Sequence, residues 1–158
     1  MKQLLKQLNA CDDAQKWAAG KTWSEVYSTC ERGDWLLWLF KKTNPADLQL
    51  ITLAKGHCAN TVKHLMQDVR SQQAVEVAIK FGEGKATLEE LNKAAYAAAA
   101  AAAAYAAYAA AAYAAAAYAA AAAYAAAAGK ENQQLTADIC RKYLPIEVWN
   151  INSLNKQD

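Results

Sequence analysis

"KAAYAAAAAAAAYAAYAAAAYAAAAYAAAAAYAAAAGK", residues 93–130, holds thirty-five consecutive positions, 94–128, that are alanine or tyrosine only. Alanine loses no side-chain entropy on entering a helix and buries no polar group, so this run reads as helix wherever nothing interrupts it. One straight helix over 88–128 would be roughly 60 Å long at about 1.5 Å per residue. A domain of this size is only about 40 Å across. The segment is therefore expected to bend, to break into a hairpin, or to project.

Around that segment the helix punctuation is legible. Thr22 and Glu25 stand at capping-box spacing and predict a helix from Trp23, and Thr87 with Glu90 repeats the device before the Ala/Tyr run. Gly33 and Asp34 are expected to end the first of these and cap "DWLLWLFKKT". Asn44 then caps, and Pro45 opens, a helix reaching about Val69, with Gly56 a tolerated weak point. Ser71 is expected to cap the next, ended by Gly82 and Gly84, and Gly129 to stop the Ala/Tyr helix before a last one, "ENQQLTADICRKYL". Gly20 closes a single first helical region. No strand pattern has comparable strength. The expectation is an all-α, single-domain bundle of six or seven helices: a Trp-rich part over 1–93, the low-complexity segment over 94–128, and a C-terminal helix and tail over 129–158.

Viewed down a helix at about 100° per residue from Tyr96, Tyr105, Tyr108, Tyr113, Tyr118 and Tyr124 fall near 180°, 120°, 260°, 40° and 280°, on every side. A helix lying on one core would show one stripe, so different portions are expected to face different neighbours. Tyr105, Tyr108, Tyr113, Tyr118 and Tyr124 are accordingly the candidate contacts with a partner or with further copies of the chain. With no charge along the run, any part left outside the fold would be a large apolar patch, which a homo-oligomer would cover.

Seventeen basic and fifteen acidic side chains give a formal charge of +2, spread without a charged tail, which gives no reason to expect a nucleic-acid partner. The Ala/Tyr run meets the length rule for a membrane span but lacks Leu, Ile, Val and Phe, and a membrane is not expected either. Cys11, Cys30, Cys58 and Cys140 are widely separated, and "MKQLLKQLNACDD" is too polar for a secretory signal, so free, mostly buried thiols in a reducing cytosol are expected.

Reaction chemistry is weakly signalled. His57 and His64 share a helix face at seven-residue spacing, but Cys58 lies about 100° away, and the C-x(2–4)-C pairs of structural zinc sites are missing. Cys58 and His64 would lie on opposite sides of a helix, poor geometry for a nucleophile and its base. "FGEGK" lacks phosphate-loop spacing and reads as a helix connector. Asp12/Asp13 and Glu89/Glu90 complement helix N-termini. Trp17, Trp23, Trp35, Trp38 and Trp149 read chiefly as core, with Trp35 and Trp38 on one face. No catalytic residue, cofactor or metal is nominated, and the chain is not expected to be an enzyme.

"WAAGKTWSEVYSTCERGDWLLWLF", residues 17–40, resembles the opening of small bacterial and tailed-phage proteins labelled immunity proteins of polymorphic toxin systems. Trp17, Thr22, Trp23, Cys30, Arg32, Asp34, Trp35, Leu37, Trp38 and Leu39 carry the resemblance, which continues more loosely through "LITLAKGHCANTVKHLM", residues 74–104 and "LTADICRKYLP". It implies stoichiometric binding and blocking of a toxin. Proteins of this kind carry an alanine-rich central helix with scattered Asp, Glu and Arg; here those charges are gone, which favours burial or self-association of the segment. The alternatives are a self-assembling structural or accessory protein, and a phage anti-defence protein that sequesters a small ligand.

Overall fold

The Glu25 N–H donates to the Thr22 hydroxyl at 3.3 Å while the Glu25 carboxylate accepts the Thr22 N–H at 2.7 Å. Two of the four orphan N–H groups at a helix start are thereby satisfied. Thr87 and Glu90 make the same exchange, at 3.2 and 2.7 Å. Both boxes start helices where their spacing predicts, at Trp23 and Leu88.

The computed structural model describes residues 1–66, 68–112 and 116–151, and their side chains outside 101–128. Among the described residues the chain is all-α, with eight α-helices and no strand: α1 Lys2–Gln7, α2 Asp12–Trp17, α3 Trp23–Thr29, α4 Gly33–Thr43, α5 Leu48–Asn60, α6 Val69–Gly82, α7 Leu88–Ala112 and α8 Ala116–Tyr143. Short 3-10 turns cover Lys63–Leu65 and Ile146–Val148. None of the described helices is long and apolar enough to cross a membrane.

Several boundaries differ from those the sequence suggests. The first helical region is two helices, parted where Asn9 takes a left-handed φ of 59°, a conformation asparagine tolerates better than most residues. α3 ends at Cys30, whose backbone is extended. Gly33 is the first residue of α4 and Asp34 lies in its first turn, turned onto Arg32 instead of capping. Asn44 and Pro45 precede α5 without starting it; Asp47 stands at its N-terminus. Asn44 is buried instead, its amide donating to the Val148 carbonyl at 2.7 Å and its oxygen accepting the Asn150 N–H at 3.2 Å. α5 stops at Asn60, short of Val69, and Asp68, not Ser71, caps α6 by accepting the Arg70 N–H at 2.9 Å.

Gly129 does not stop a helix. α8 runs through it, so the expected last helix forms the closing turns of α8. The physical reason lies on both sides: alanines propagate the helix up to Gly129, and beyond it Ala137, Cys140 and Leu144 form a fully buried stripe at helical spacing. That burial outweighs the cost of about 1 kcal/mol for one interior glycine. The Ala/Tyr run is thus divided between α7 and α8. Of the candidate contacts, Tyr113 lies outside the described residues, and so do the side chains of Tyr105, Tyr108, Tyr118 and Tyr124.

α5 packs on α6, α6 on α7, and both α4 and α5 pack on α8. Glycine sets the closest crossings. A Cβ on Gly82 would come within 2.4 Å of the Leu53 Cβ, one on Gly56 within 2.8 Å of Ile79, and one on Gly33 within 2.4 Å of Thr136. Gly56 is thus a contact point and not a weakness. α4 buries Leu36, Leu39, Phe40 and Thr43 as its stripe. The C-terminal residues close over it: Trp149 meets Phe40 edge-on at 5.0 Å and Trp23 at 4.9 Å, and its indole N–H donates to the Leu144 carbonyl at 2.9 Å.

Over 88–100 only Leu91, Ala94, Ala97 and Ala98 are half-buried, and Tyr96 is 78% exposed. Replacement of Gly82 or Gly33 by alanine should destabilise the fold by about 1–3 kcal/mol through overpacking. Gly129→Ala, where a Cβ would meet open space, should instead stabilise by up to about 1 kcal/mol. Urea denaturation of the three variants measures the contrast.

Candidate functional site

Because α4 commits Leu36, Leu39 and Phe40 to the core, Trp35 and Trp38 are left on its flank, half-buried and toward the N-terminal helices. Trp17, the last residue of α2, meets Trp35 edge-on with ring centroids 6.0 Å apart. Gly20, at φ 78°, turns the chain after α2 and returns it through α3 to Cys30 and Arg32. Two residues meet here that lie eighteen apart in sequence.

Arg32 lies over the Trp35 ring at 4.6 Å and grips Asp34 with both arms of its fork, Nε to Oδ1 at 2.8 Å and Nη2 to Oδ2 at 2.6 Å. Those hydrogen bonds hold the Asp34 carboxyl below its ordinary range and push the guanidinium further up. Lys21 is fixed similarly, donating to the Trp17 carbonyl at 2.8 Å with its ammonium 4.7 Å from the Trp17 ring centre. Two rings and two cations are thereby pre-ordered.

The result is a cavity of about 570 Å³ under Trp17, Trp35 and Trp38, floored by Leu5, Ala10, Ala14, Ala18, Val26, Leu36 and Leu39. Its polar lining comes from Asn9, Cys11, Cys30, Arg32 and Asp34. A second cavity of about 540 Å³ lies across the Trp17, Cys30, Arg32 and Trp35 wall and adds Lys21, Thr29, Glu31, Lys130, Gln133 and Gln134. An apolar chamber with few fixed polar groups is the usual form of a small-ligand or side-chain site.

The thiols differ sharply. All four are free; Cys11, at the mouth of the first cavity, is exposed, and the other three are buried. Burial pushes the Cys30 thiol up. The neighbouring Cys58 sulfur and burial hold Cys140 well above its ordinary value, and its S–H donates to the Gly33 carbonyl at 3.5 Å. His57 stacks flat on Tyr143, centroids 4.0 Å apart and planes at 6°, and burial lowers its pKa. His64 sits apart from it in a 3-10 turn. Among the described residues no group of three or more His, Cys, Asp or Glu could hold a metal ion. "FGEGK" is a connector, ending α6 and turning at Gly84, φ 73°.

The side chains of the Ala/Tyr candidates lie outside the described residues. The tryptophans read as core divide into two sets. Trp23 and Trp149 join Tyr27 and Phe40 in an aromatic cluster, whereas Trp17, Trp35 and Trp38 line the groove. The sequence signal for the second set was the Arg-x-Asp-Trp-x-x-Trp spacing: a cation, its anion and two rings within seven residues.

Arg32→Gln should return the Asp34 carboxyl toward its ordinary value, read by carboxyl NMR titration. With Asp34 lowered in the folded state, its pairing contributes stability above the ordinary Asp range and loses it as pH falls through the lowered value. A soluble aromatic disulfide reagent should modify Cys11 alone in the native protein, and all four thiols only in denaturant. No protein-family model matches this chain, and no curated protein or solved structure does.

Proposed function

We propose that the chain is a non-enzymatic binding protein of the cytosol, an immunity-type protein that blocks a toxin by stoichiometric contact, and that the tryptophan groove receives the partner. The observation that carries the reading is the pre-ordered cavity of about 570 Å³ walled by Trp17, Trp35 and Trp38. Tryptophan and arginine dominate binding energy where they are held rigid around a pocket. Arg32 and Asp34 neutralise each other in place, so an apolar side chain can enter without stranding a buried charge. Of the ten residues that carry the resemblance to immunity proteins, seven, Trp17, Cys30, Arg32, Asp34, Trp35, Trp38 and Leu39, line this one cavity.

Self-assembly is the second reading. It is favoured by α7, where Tyr96 stands 78% exposed on a helix whose described contact stripe is narrow. Light scattering over a concentration series separates the two: a constant oligomer whose interface excludes the groove supports self-assembly. Under the leading reading, Trp38→Ala should weaken toxin binding by about 10- to 100-fold and abolish growth rescue in cells co-expressing that toxin. Tyr96→Ala should leave rescue intact. Wild-type rescue by a folded Trp38→Ala protein, checked by its thermal melt, would sink the proposal.

A further inference from the structure

The two chambers differ in charge. Among the described residues lining the apolar one, the charged side chains are Arg32 and Asp34, which hold each other. The other is bordered by three cations, Lys21, Arg32 and Lys130, and by one carboxylate, Glu31. With Arg32 balanced by Asp34, Lys21 and Lys130 face Glu31 alone among the lining carboxylates. Glu25, which also feels Lys21, is turned onto Thr22 by the capping box. α8 supplies Lys130 and α2–α3 supply Lys21, so two separate elements present positive charge to the same hollow.

Between the chambers stands one ridge, the Trp17–Trp35 pair with centroids 6.0 Å apart. The chambers share the Trp17, Cys30, Arg32 and Trp35 wall, so groups seated in the two lie a few residues apart on one extended chain, which advances about 3.4 Å per residue. We infer that the groove takes an extended acidic segment of the partner protein, seating an apolar side chain beneath Trp35 and Trp38 and laying a carboxylate, two to four residues along, against Lys21 and Lys130. The inference rests on the groove being the partner-binding surface. A peptide fits better than a compact small ligand because the apolar and cationic chambers are separate hollows that share one wall, so an occupant of both must be long. Lys21, already fixed on Trp17, has little freedom left to lose on meeting a carboxylate.

Fluorescein-labelled, terminally blocked octapeptides test this by anisotropy against the full chain. One set carries Leu, Phe or Trp followed two to four positions later by Asp or Glu; matched sets carry Asn/Gln or Lys instead. The acidic set should bind about tenfold tighter than the amide set, and the preference should fade with added salt. Lys21→Gln with Lys130→Gln should bring acidic-peptide affinity down to that of the amide set, in a protein whose thermal melt shows it folded. Equal binding of acidic and amide peptides, both lost in Trp38→Ala, overturns the acidic segment and leaves the groove reading standing. Absence of any Trp38-dependent peptide binding overturns both.

Discussion

Thr136 occupies the space where a side chain on Gly33 would have to be. This contact lets the start of α4 lie against α8 closely enough for the Cys140 thiol to reach the Gly33 carbonyl, and it joins the N-terminal helices to the C-terminal ones. On the neighbouring turn Arg141 donates to the carbonyls of Tyr27 and Cys30 at 3.1 and 2.8 Å, while the Tyr27 hydroxyl donates to the carbonyls of Arg141 and Leu144. α3, α4 and α8 are thus tied by backbone acceptors whose positions do not depend on side-chain rotamers. Gly33 also separates Arg32 from Asp34, so the crossing that builds the core sets the position of the ion pair bordering the groove.

Energetically that ion pair is minor and geometrically it is not. With side chains 38% and 56% exposed, Arg32 and Asp34 gain little net stability from each other in water. What the fork supplies is orientation: a flat guanidinium parked on one tryptophan face, its charge answered locally. Arg70–Asp68 and Lys85–Glu83 are similarly exposed and lie between near neighbours in sequence, whereas Lys63–Glu76 joins the 3-10 turn to α6. The weight of the fold rests on Leu36, Phe40, Ala137, Cys140, Leu144 and Ile151, all essentially withdrawn from water.

Local chemistry was legible in the sequence and convergence was not. The two capping boxes declare their helices because donor and acceptor lie three residues apart, and the all-α class follows from the alanine run. Asn44 looks like a cap on the same logic, yet its partners are Val148 and Asn150, more than a hundred residues away. Gly129 looks like a stop because nothing local reveals that the helix beyond it is held by burial against α4 and α5. The groove was hidden for the same reason: Trp35 and Trp38 announce a shared face, but whether that face is core or cavity wall depends on where Trp17 returns. Three tryptophans assigned to the interior stand at its edge.

The clamp around Trp149 bears on how the molecule comes into being. Hydrogen bonds from Tyr27 to Leu144 and from Asn44 to Val148 close loops of 117 and 104 residues, while the helices between them form through contacts a few residues long. Chain closure over such separations carries a large entropy cost before any contact repays it. During synthesis the first four helices therefore leave the ribosome with Phe40, Trp23 and Tyr27 uncovered, and they stay so until the last turns of α8 arrive. A protein with this wiring is born with its aromatic cluster open, and completes it only when its two ends meet.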